Sequence, residues 1–228
     1  MKVVLFGATG MIGQGVLREC LIDPEVTSVL SVARRATGKS AAKLREIVHD
    51  DFSSFDGIAN ELTGYDACFF CLGVSSAGMT EAEYTRITYD VAVAAGKTLV
   101  ERNPELTFVF VSGAGTDGTE RGSTMWARVK GRAENALLAM PFKASYAVRP
   151  AAIQPVHGET SRATPTRIAY ATLGWLFPVV KAVFPKYVTT TERLGRAMLV
   201  LAKHGSPKRV LESSDIDELG RQAELEPS

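Results

Sequence analysis

Short apolar runs alternate along the chain with longer segments in which apolar residues recur at helical spacing. "KVVLFG" at 2–7 predicts a strand, and "MIGQGVLRECLID" at 11–23 predicts a helix that presents Ile12, Val16 and Leu17 on one face. The same pattern predicts further strands at 26–34, 44–50, 66–73, 106–113 and 144–150, and helices at 58–62, 80–103 and 123–140. The run at 66–73 is apolar throughout, which is typical of a strand covered on both faces.

Repeated β–α–β units predict the fold class. Right-handed crossovers between such units give a parallel sheet with helices on both faces, so we expect an α/β fold with a doubly wound, mostly parallel sheet over residues 1–150. After Pro150 the alternation ends. We expect residues 151–228 to form a small, helical, substrate-side extension of the same domain, with a capped helix at 189–205, a short strand "KRVLES" and a loose polar tail.

Composition excludes several classes of protein. The 228 residues are 46% hydrophobic and 22% charged, as in an ordinary soluble domain, and the net charge of +1 argues against nucleic-acid binding. The most apolar segment, 168–184, is interrupted by Pro178 and Lys181 and is short for a bilayer core of about 30 Å. A buried or pocket-lining helix is the main interpretation of this segment. Contact with a membrane surface is the alternative.

Three cysteines do not make a disulfide framework, which indicates a reducing compartment. The chain leads from Met1 straight into a strand-like run, so we expect no signal peptide and a cytoplasmic protein. Cys68 and Cys71 lie inside the apolar run "ACFFCLG" without a second pair of ligands nearby. We therefore interpret them as buried strand cysteines and predict no metal site.

A glycine-rich turn joins the first strand to the first helix. Gly7, Gly10 and Gly13 have the spacing G-x-x-G-x-x-G. Glycines allow a tight turn and a close approach of the backbone to phosphate, and the N-terminus of the following helix offers free N–H groups to an anion. We predict a diphosphate site here, lined by Gly7, Thr9, Gly10, Met11, Ile12 and Gly13.

The stretch "VVLFGATGMIGQGVLREC" resembles the opening of the extended and atypical short-chain dehydrogenase/reductases. That group includes nucleoside-diphosphate-sugar epimerases and the redox-sensing NmrA-like proteins. The resemblance covers about residues 2–150, with motifs in the same order, and more loosely the C-terminal part. It implies a Rossmann fold that binds NAD(P), and the whole chain most resembles the small atypical members regarded as NAD(P)-binding epimerases.

The end of the second strand distinguishes the two dinucleotides. Selection of NAD usually requires an acidic residue about 20 residues after the turn. Here "SVARR" carries Arg34 and Arg35 instead, and a guanidinium can bind a 2′-phosphate through charge-assisted hydrogen bonds. We therefore predict NADP in preference to NAD. Lys39 is a further candidate, and the alternative is that the arginines simply face solvent.

The resemblance also implies where the adenosine half lies. In the resembled family an Asp after the third strand accepts from the adenine amino group, and its neighbour lies along the ring. Asp51 and Phe52 in "HDDFSSF" match these positions, with Asp50 as the alternative register. Leu72 and Gly73, after the fourth strand, match the stretch beside the adenosine ribose.

The resembled family catalyses with a Tyr and a Lys at Y-x-x-x-K and a Ser at the end of the fifth strand. This chain matches the family with Lys130 and Ser112, but Trp126 stands where the Tyr is expected and Gly113 follows the serine. An indole N–H donates a hydrogen bond but does not titrate near neutral pH. No tyrosine occurs between Tyr89 and Tyr146, so a shifted helix register does not restore the phenol.

Other groups remain as candidates for the proton. They are Tyr84, Tyr146, Tyr170, His157 and a cofactor-bound water. The segment Val148 to Pro155 resembles the family's stretch after the sheet and is a candidate lining for the nicotinamide pocket.

Two functional hypotheses follow. The first is an NADP-binding oxidoreductase or epimerase-like enzyme that acts on a small carbonyl or alcohol. The second is a non-catalytic NAD(P)-sensing protein. We expect a small-molecule substrate and either a monomer or a homodimer formed through helices of the 80–103 and 123–140 type.

Overall fold

The protein is described from a computed structural model that covers residues 1–160 and 187–225. Tyr170 and the apolar segment 168–184, with the two interpretations given for it, lie outside these residues. None of the helices within the described residues is long and apolar enough to cross a membrane.

The described strands form one large parallel sheet and one small one. The large sheet has seven strands in the order β3-β2-β1-β4-β5-β6-β9, all parallel. Its strands are β1 (Lys2–Phe6), β2 (Ser28–Ala33), β3 (Leu44–Val48), β4 (Ala67–Phe70), β5 (Thr107–Val111), β6 (Ala144–Arg149) and β9 (Val210–Glu212). Because the order reverses between β1 and β4, a crevice opens at their carboxyl ends, where α/β sheets bind ligands. The predicted doubly wound sheet is confirmed.

With one exception at the C-terminus, the described helices lie close to their predicted positions. They are α1 (Met11–Ile22), α2 (Glu81–Thr85), α3 (Val91–Arg102), α4 (Met125–Ala139), α5 (Thr191–His204) and α6 (Ser213–Leu225). A π-helical turn, Arg86–Asp90, joins α2 to α3, so the predicted helix at 80–103 is two α-helices joined by a π-helical turn. Thr80 and Glu83 form a capping box at the start of α2. The predicted short helix at 58–62 is a 3₁₀ helix, Asp56–Leu62.

Two cores, one on each face of the sheet, explain why the central strands β1, β4 and β5 are mostly apolar. Along β1, Val3 and Leu5 face the core beneath α1 and α5, whereas Val4 and Phe6 face the aromatic core beneath α3 and α4. Cys68 packs in the aromatic core and Cys71 against the opposite one. The two thiols therefore lie on opposite faces of the sheet. Within the residues that the structure describes, no cluster of His, Cys, Asp and Glu is suited to a metal ion.

The C-terminal region differs from the expectation in two ways. The predicted loose tail is wrong up to Leu225, because α6 packs against α5: Ile216 is fully buried, and Arg193 pairs with Asp217 at 2.8 Å. The irregular stretch after Pro150 contains β7 (Ala152–Gln154), which pairs in parallel with β8 (Val188–Thr190). The described C-terminal residues thus complete the sheet with β9, while the division at residue 150 stays a prediction.

Candidate functional site

The glycine turn is held together by backbone contacts. Gly7 follows β1 with φ +84°, and a Cβ there would lie 2.7 Å from the carbonyl oxygen of Cys71. A Cβ on Gly13 would lie 2.0 Å from the Gly7 carbonyl oxygen. The Gly10 N–H donates to that same oxygen at 2.9 Å. Gly7 and Gly13 are therefore required by the close approach of β1, β4 and α1.

The start of α1 suits an anion. Gly10 is the N-cap residue, and among the described residues no side chain caps this helix and no acidic residue occupies its first turn. The N–H groups of Met11 and Ile12 begin the helix, and both side chains pack partly buried against the core. Thr9 is half-buried in the same turn. This arrangement fits a diphosphate, since the helix start carries partial positive charge.

Arg34 and Arg35 follow β2 at the same edge of the sheet. Both are exposed, and neither forms an ion pair within the described parts of the chain. The loop that follows is fixed by Glu46 on β3, whose Oε1 accepts from the Thr37 N–H at 2.8 Å. Lys39 is also exposed on this loop. Two guanidinium groups without a carboxylate partner are therefore available to an anionic ligand.

The predicted adenine residues lie beyond β3. Asp51 is exposed, and its Oδ1 accepts from the Ser53 N–H at 2.9 Å. Hydrogen bonds from the Ser53 hydroxyl and N–H lower the pKa of Asp51, which is thus an acceptor at neutral pH. Phe52 packs against His49 and Phe55, with ring centroids 5.7 and 5.6 Å away.

The other adenosine candidates lie at exposed or half-buried positions. Asp50, the alternative register, is exposed. Leu72 is half-buried and Gly73 exposed, directly after β4. A Cβ on Gly73 would meet nothing within 4 Å, so packing within the protein does not require a glycine at this position.

Ser112 is buried at the carboxyl end of β5. Its Oγ lies 2.9 Å from the Thr116 Oγ1, and the Thr116 hydroxyl donates to the Gly113 carbonyl at 2.7 Å. The remaining proton between the two hydroxyls is therefore that of Ser112. Thr116, which lies in the turn after β5, is a site residue that the sequence reasoning missed.

Lys130 lies on α4 with its ammonium group at the end of β5. Its Nζ donates to the Ser112 carbonyl at 3.2 Å and lies 5.8 Å from the centre of the Phe110 ring. Burial lowers the pKa of Lys130 to about 8, although Glu134, one turn along the helix, acts in the opposite direction. Glu134 is itself paired with Arg149, which donates to its carboxylate at 2.6 and 3.0 Å.

Trp126 lies one helical turn before Lys130, and its indole packs over the loop that follows β5. The Cη2 atom lies 3.5 Å from the position of a Cβ on Gly115, where φ is +85°. The same loop is bound to α4 by Arg128, which donates to the Gly122 carbonyl at 2.6 Å. A Cβ on Gly131 would lie 1.8 Å from the Asp117 carbonyl oxygen. Trp126 is thus part of a tightly packed contact between loop and helix.

Residues 7–161 match a protein family described as NAD(P)H-binding. The match includes the glycine turn, β2, Ser112 and Lys130. The chain belongs to this NAD(P)H-binding family.

Solved structures support the same fold. A short-chain dehydrogenase family protein from Francisella tularensis superposes with a TM-score of 0.69 at 15% identity, over 94% of this chain and 98% of that one. The enzyme WbmF of Bordetella bronchiseptica, solved in complex with NAD⁺, gives a TM-score of 0.69 at 13% identity, over 98% of this chain and 77% of that one. The predicted NAD(P)-binding fold is confirmed, and the resemblance to the short-chain dehydrogenase/reductases holds at the level of the fold.

A curated relative corrects the predicted compartment. The protein fmp52-2 of Aspergillus oryzae is 26% identical over 222 residues, which span 95% of this chain and 96% of the relative. It and several other fungal relatives are named mitochondrial, so the prediction of a cytoplasmic protein is wrong. A low cysteine count indicates a reducing compartment but does not distinguish one such compartment from another.

Of the tyrosines proposed as proton donors, the two that the structure describes, Tyr84 and Tyr146, are buried. Tyr84 is 2% exposed, and burial raises its pKa. The Tyr146 hydroxyl accepts from the Ser206 N–H at 3.0 Å, in the turn that precedes β9 and therefore at the amino edge of the sheet. Tyr170 lies outside the described residues.

The remaining candidates are His157, which contacts α5, and the segment Val148 to Pro155, which begins beside the end of β5. His157 Nε2 lies 3.1 Å from Glu192 Oε2, at the start of α5. The Val148 carbonyl accepts from the Ser112 N–H at 2.8 Å, and the Pro150 carbonyl accepts from the Ala114 N–H at 3.0 Å. The first part of the segment Val148 to Pro155 is therefore adjacent to Ser112, while its contact with a nicotinamide stays a prediction.

Proposed function

We propose that this protein is an NADP-dependent oxidoreductase or epimerase-like enzyme that acts on a small carbonyl or alcohol, and that Lys130 replaces the missing tyrosine as the proton-transfer group. Lys130 carries the proposal, because its ammonium lies beside Ser112 and can lose a proton near neutral pH. A general acid is most effective when its pKa lies near the working pH.

The preference for NADP rests on charge. Arg34 and Arg35 lack carboxylate partners in the described chain, and a 2′-phosphate would supply an anionic partner for them. The N–H groups at the start of α1 would hold the diphosphate, and Lys130 would contact the nicotinamide ribose, as in the resembled family. When bound, NADPH supplies a hydride to a carbonyl carbon.

Lys130 would provide the proton for the reduced oxygen. In the direction of reduction, the Nζ ammonium gives a proton to the substrate oxygen, and the neutral amine then takes one from water. The rate of reduction should therefore fall as pH rises through about 8, whereas alcohol oxidation, which needs the neutral amine, should increase over the same range.

The two neighbouring side chains have limited roles in this scheme. The Ser112 hydroxyl already donates to Thr116, so it is available as an acceptor and would orient a substrate alcohol rather than polarise a carbonyl. Trp126 offers one N–H that donates and does not titrate, so it would shape the pocket beside the loop that follows β5.

Two substitutions of Lys130 test the proposal. Lys130→Arg keeps a positive charge and its hydrogen-bond donors but cannot release a proton, whereas Lys130→Met removes both. We expect both variants to lose about 10²-fold or more in NADPH-dependent reduction of a panel of small aldehydes, ketones and α-dicarbonyls. NADPH binding to the Arg variant should change by less than about fivefold. Retained turnover in Lys130→Arg would contradict the proton role, and tight NADPH binding with a silent panel would contradict the enzyme.

A non-catalytic sensor of the NAD(P) redox state is the second candidate. The absent phenol and the engaged hydroxyl of Ser112 favour it. The nicotinamide ring is cationic when oxidised, so a Lys130 ammonium beside it should weaken NADP⁺ binding relative to NADPH below pH 8. Calorimetric titration with both cofactors measures this difference, and equal affinities would contradict the sensor.

A further inference from the structure

The side chain of Gln14 connects the glycine turn to a distant part of the chain. Gln14 lies in the first turn of α1, where its backbone N–H donates to the Gly10 carbonyl at 2.8 Å. Its Nε2 donates to the Thr9 carbonyl at 3.1 Å and to the Thr160 carbonyl at 3.2 Å. The Thr160 N–H donates back to Gln14 Oε1 at 3.4 Å. One side-chain amide therefore pairs with both backbone groups of Thr160 while it also holds a carbonyl of the turn.

Thr160 ends a compact loop, Val156–Thr160, that follows β7. The carboxylate of Glu159 is 8% exposed, and its Oε2 accepts from the N–H groups of Val156 at 3.1 Å and His157 at 2.9 Å. His157 in turn contacts Glu192 of α5. Because these bonds close the loop on itself, a displacement at Thr160 is passed to the whole loop.

The helices on either side of this loop are fixed relative to each other. A Cβ on Gly15 of α1 would lie 2.7 Å from the Thr191 Cβ of α5, and a Cβ on Gly195 would lie 2.7 Å from the Glu19 Cγ. Packing this close leaves little room for α1 to slide along α5. His157 joins the loop to α5, and the paired hydrogen bonds of Gln14 with Thr160 join it to the start of α1 beside the glycine turn.

We infer that Gln14 is a positioning residue that couples dinucleotide binding at the glycine turn to the placement of the Val156–Thr160 loop. A diphosphate on the N–H groups at the start of α1 would fix the peptide between Thr9 and Gly10, and with it the carbonyl to which Gln14 Nε2 donates. The side-chain amide of Gln14 would then be fixed in the position in which it pairs with the backbone of Thr160. The inference rests on the dinucleotide site of the proposed function, but not on the choice of NADP or on Lys130.

Hydrogen exchange of backbone amides tests the coupling. In the wild type, NADPH should slow exchange at residues 10–14 and at residues 156–160. At the loop we expect about a fivefold effect, the factor that one hydrogen bond supplies. In Gln14→Leu the turn should stay protected and the protection of the loop should disappear. Because coupling is reciprocal, NADPH affinity should fall by a similar factor in that variant.

Two matched variants separate the amide from its surroundings. Gln14→Glu can still accept from the Thr160 N–H but cannot donate to either carbonyl, so it should behave as Gln14→Leu. His157→Ala removes the contact with Glu192 and leaves Gln14 intact, so the effect of NADPH on the loop should persist. Should Gln14→Leu fail to fold, Gln14→Asn, with an amide too short to reach Thr160, replaces it.

Three results would overturn the coupling. The first is equal protection of the loop in the wild type and in Gln14→Leu. The second is a wild-type loop that NADPH does not protect although it protects the turn. The third is a turn that neither NADPH nor NADH protects, which removes the dinucleotide site itself and is recognised by the absence of any effect at residues 10–14.

Discussion

The glycine turn and the carboxyl end of β5 lie at the same edge of the sheet, yet they differ in what specifies them. The turn is specified by backbone packing, since Gly7 and Gly13 have no room for a Cβ. The region around Ser112 and Lys130 depends on single side chains, and our prediction is that Trp126 stands where the resembled family has its tyrosine. On the proposed function, the reacting side chains can therefore change while the fold around them is retained.

The largest effect that we expect comes from closing the turn. Gly13→Ala would place a methyl group 2.0 Å from the Gly7 carbonyl oxygen, so the start of α1 must move. NADPH affinity should fall by more than about 100-fold, and the free energy of unfolding by about 1–3 kcal/mol. Calorimetric titration and chemical denaturation measure the two effects. Gly57→Ala is the control, because a Cβ there meets nothing within 4 Å; an unchanged affinity in Gly13→Ala would contradict the packing argument.

The next effect distinguishes the two cofactors. Arg34→Asp replaces a guanidinium with a carboxylate that repels a 2′-phosphate, so NADPH affinity should fall by about 100-fold and NADH affinity by less than about threefold. Arg35→Asp, measured in the same way, tells which arginine is responsible. Equal losses for NADPH and NADH would refute the assignment.

A smaller effect, an increase in the rate of carbonyl reduction, is expected when Trp126 is replaced by a tyrosine. Trp126→Tyr should increase the rate of NADPH-dependent reduction of the carbonyl panel by about tenfold or more, since a second titratable group would then stand one turn before Lys130. Trp126→Phe is the matched control and should show no gain. Equal rates in the two variants would contradict the comparison between the two regions, and a Tyr variant that does not fold would show that the indole is needed for the contact with Gly115.

The smallest effect concerns stability and pH. The pKa of Lys130 is about 8 in the folded protein and about 10.4 in an unfolded chain, so below pH 8 both states are protonated and the folded state carries the cost of a buried ammonium. Lys130→Met should therefore be more stable than the wild type at pH 7, by about 1–2 kcal/mol after allowance for partial exposure. The difference should shrink as pH rises from 8 toward 10.4. Denaturation at several pH values measures it, and a less stable Met variant at pH 7 would contradict the burial argument.

The sheet could be predicted because the central strands β1, β4 and β5 are apolar on both faces and each is followed by a turn. The errors of the prediction lie where structure depends on distant contacts. Most residues of α6 are polar, so its few apolar residues did not indicate a packed helix from the sequence. In the structure Ile216 and Leu219 pack in the core on the side of α5. The pairing of β7 with β8 joins segments more than thirty residues apart in sequence, at Ile153 and Thr189, and no local pattern indicates it.

The same distinction holds at the site. The glycine spacing and the lysine on α4 are local signals, so they could be predicted. The hydrogen bond between Ser112 and Thr116, the pairing of Glu134 with Arg149 and the link from Gln14 to Thr160 are contacts of the folded chain. The four-residue spacing of Thr116 from Ser112 is a local signal that could have indicated the first of these contacts, whereas Glu134 and Arg149 are 15 residues apart in sequence.

Titration with NADPH, with hydrogen exchange at residues 7–14 as the readout, tests the dinucleotide site most directly. Heat of binding together with slowed exchange of the amides at the start of α1 is the predicted result. NADPH that produces neither heat nor protection of these amides would contradict the site, and with it both proposed functions.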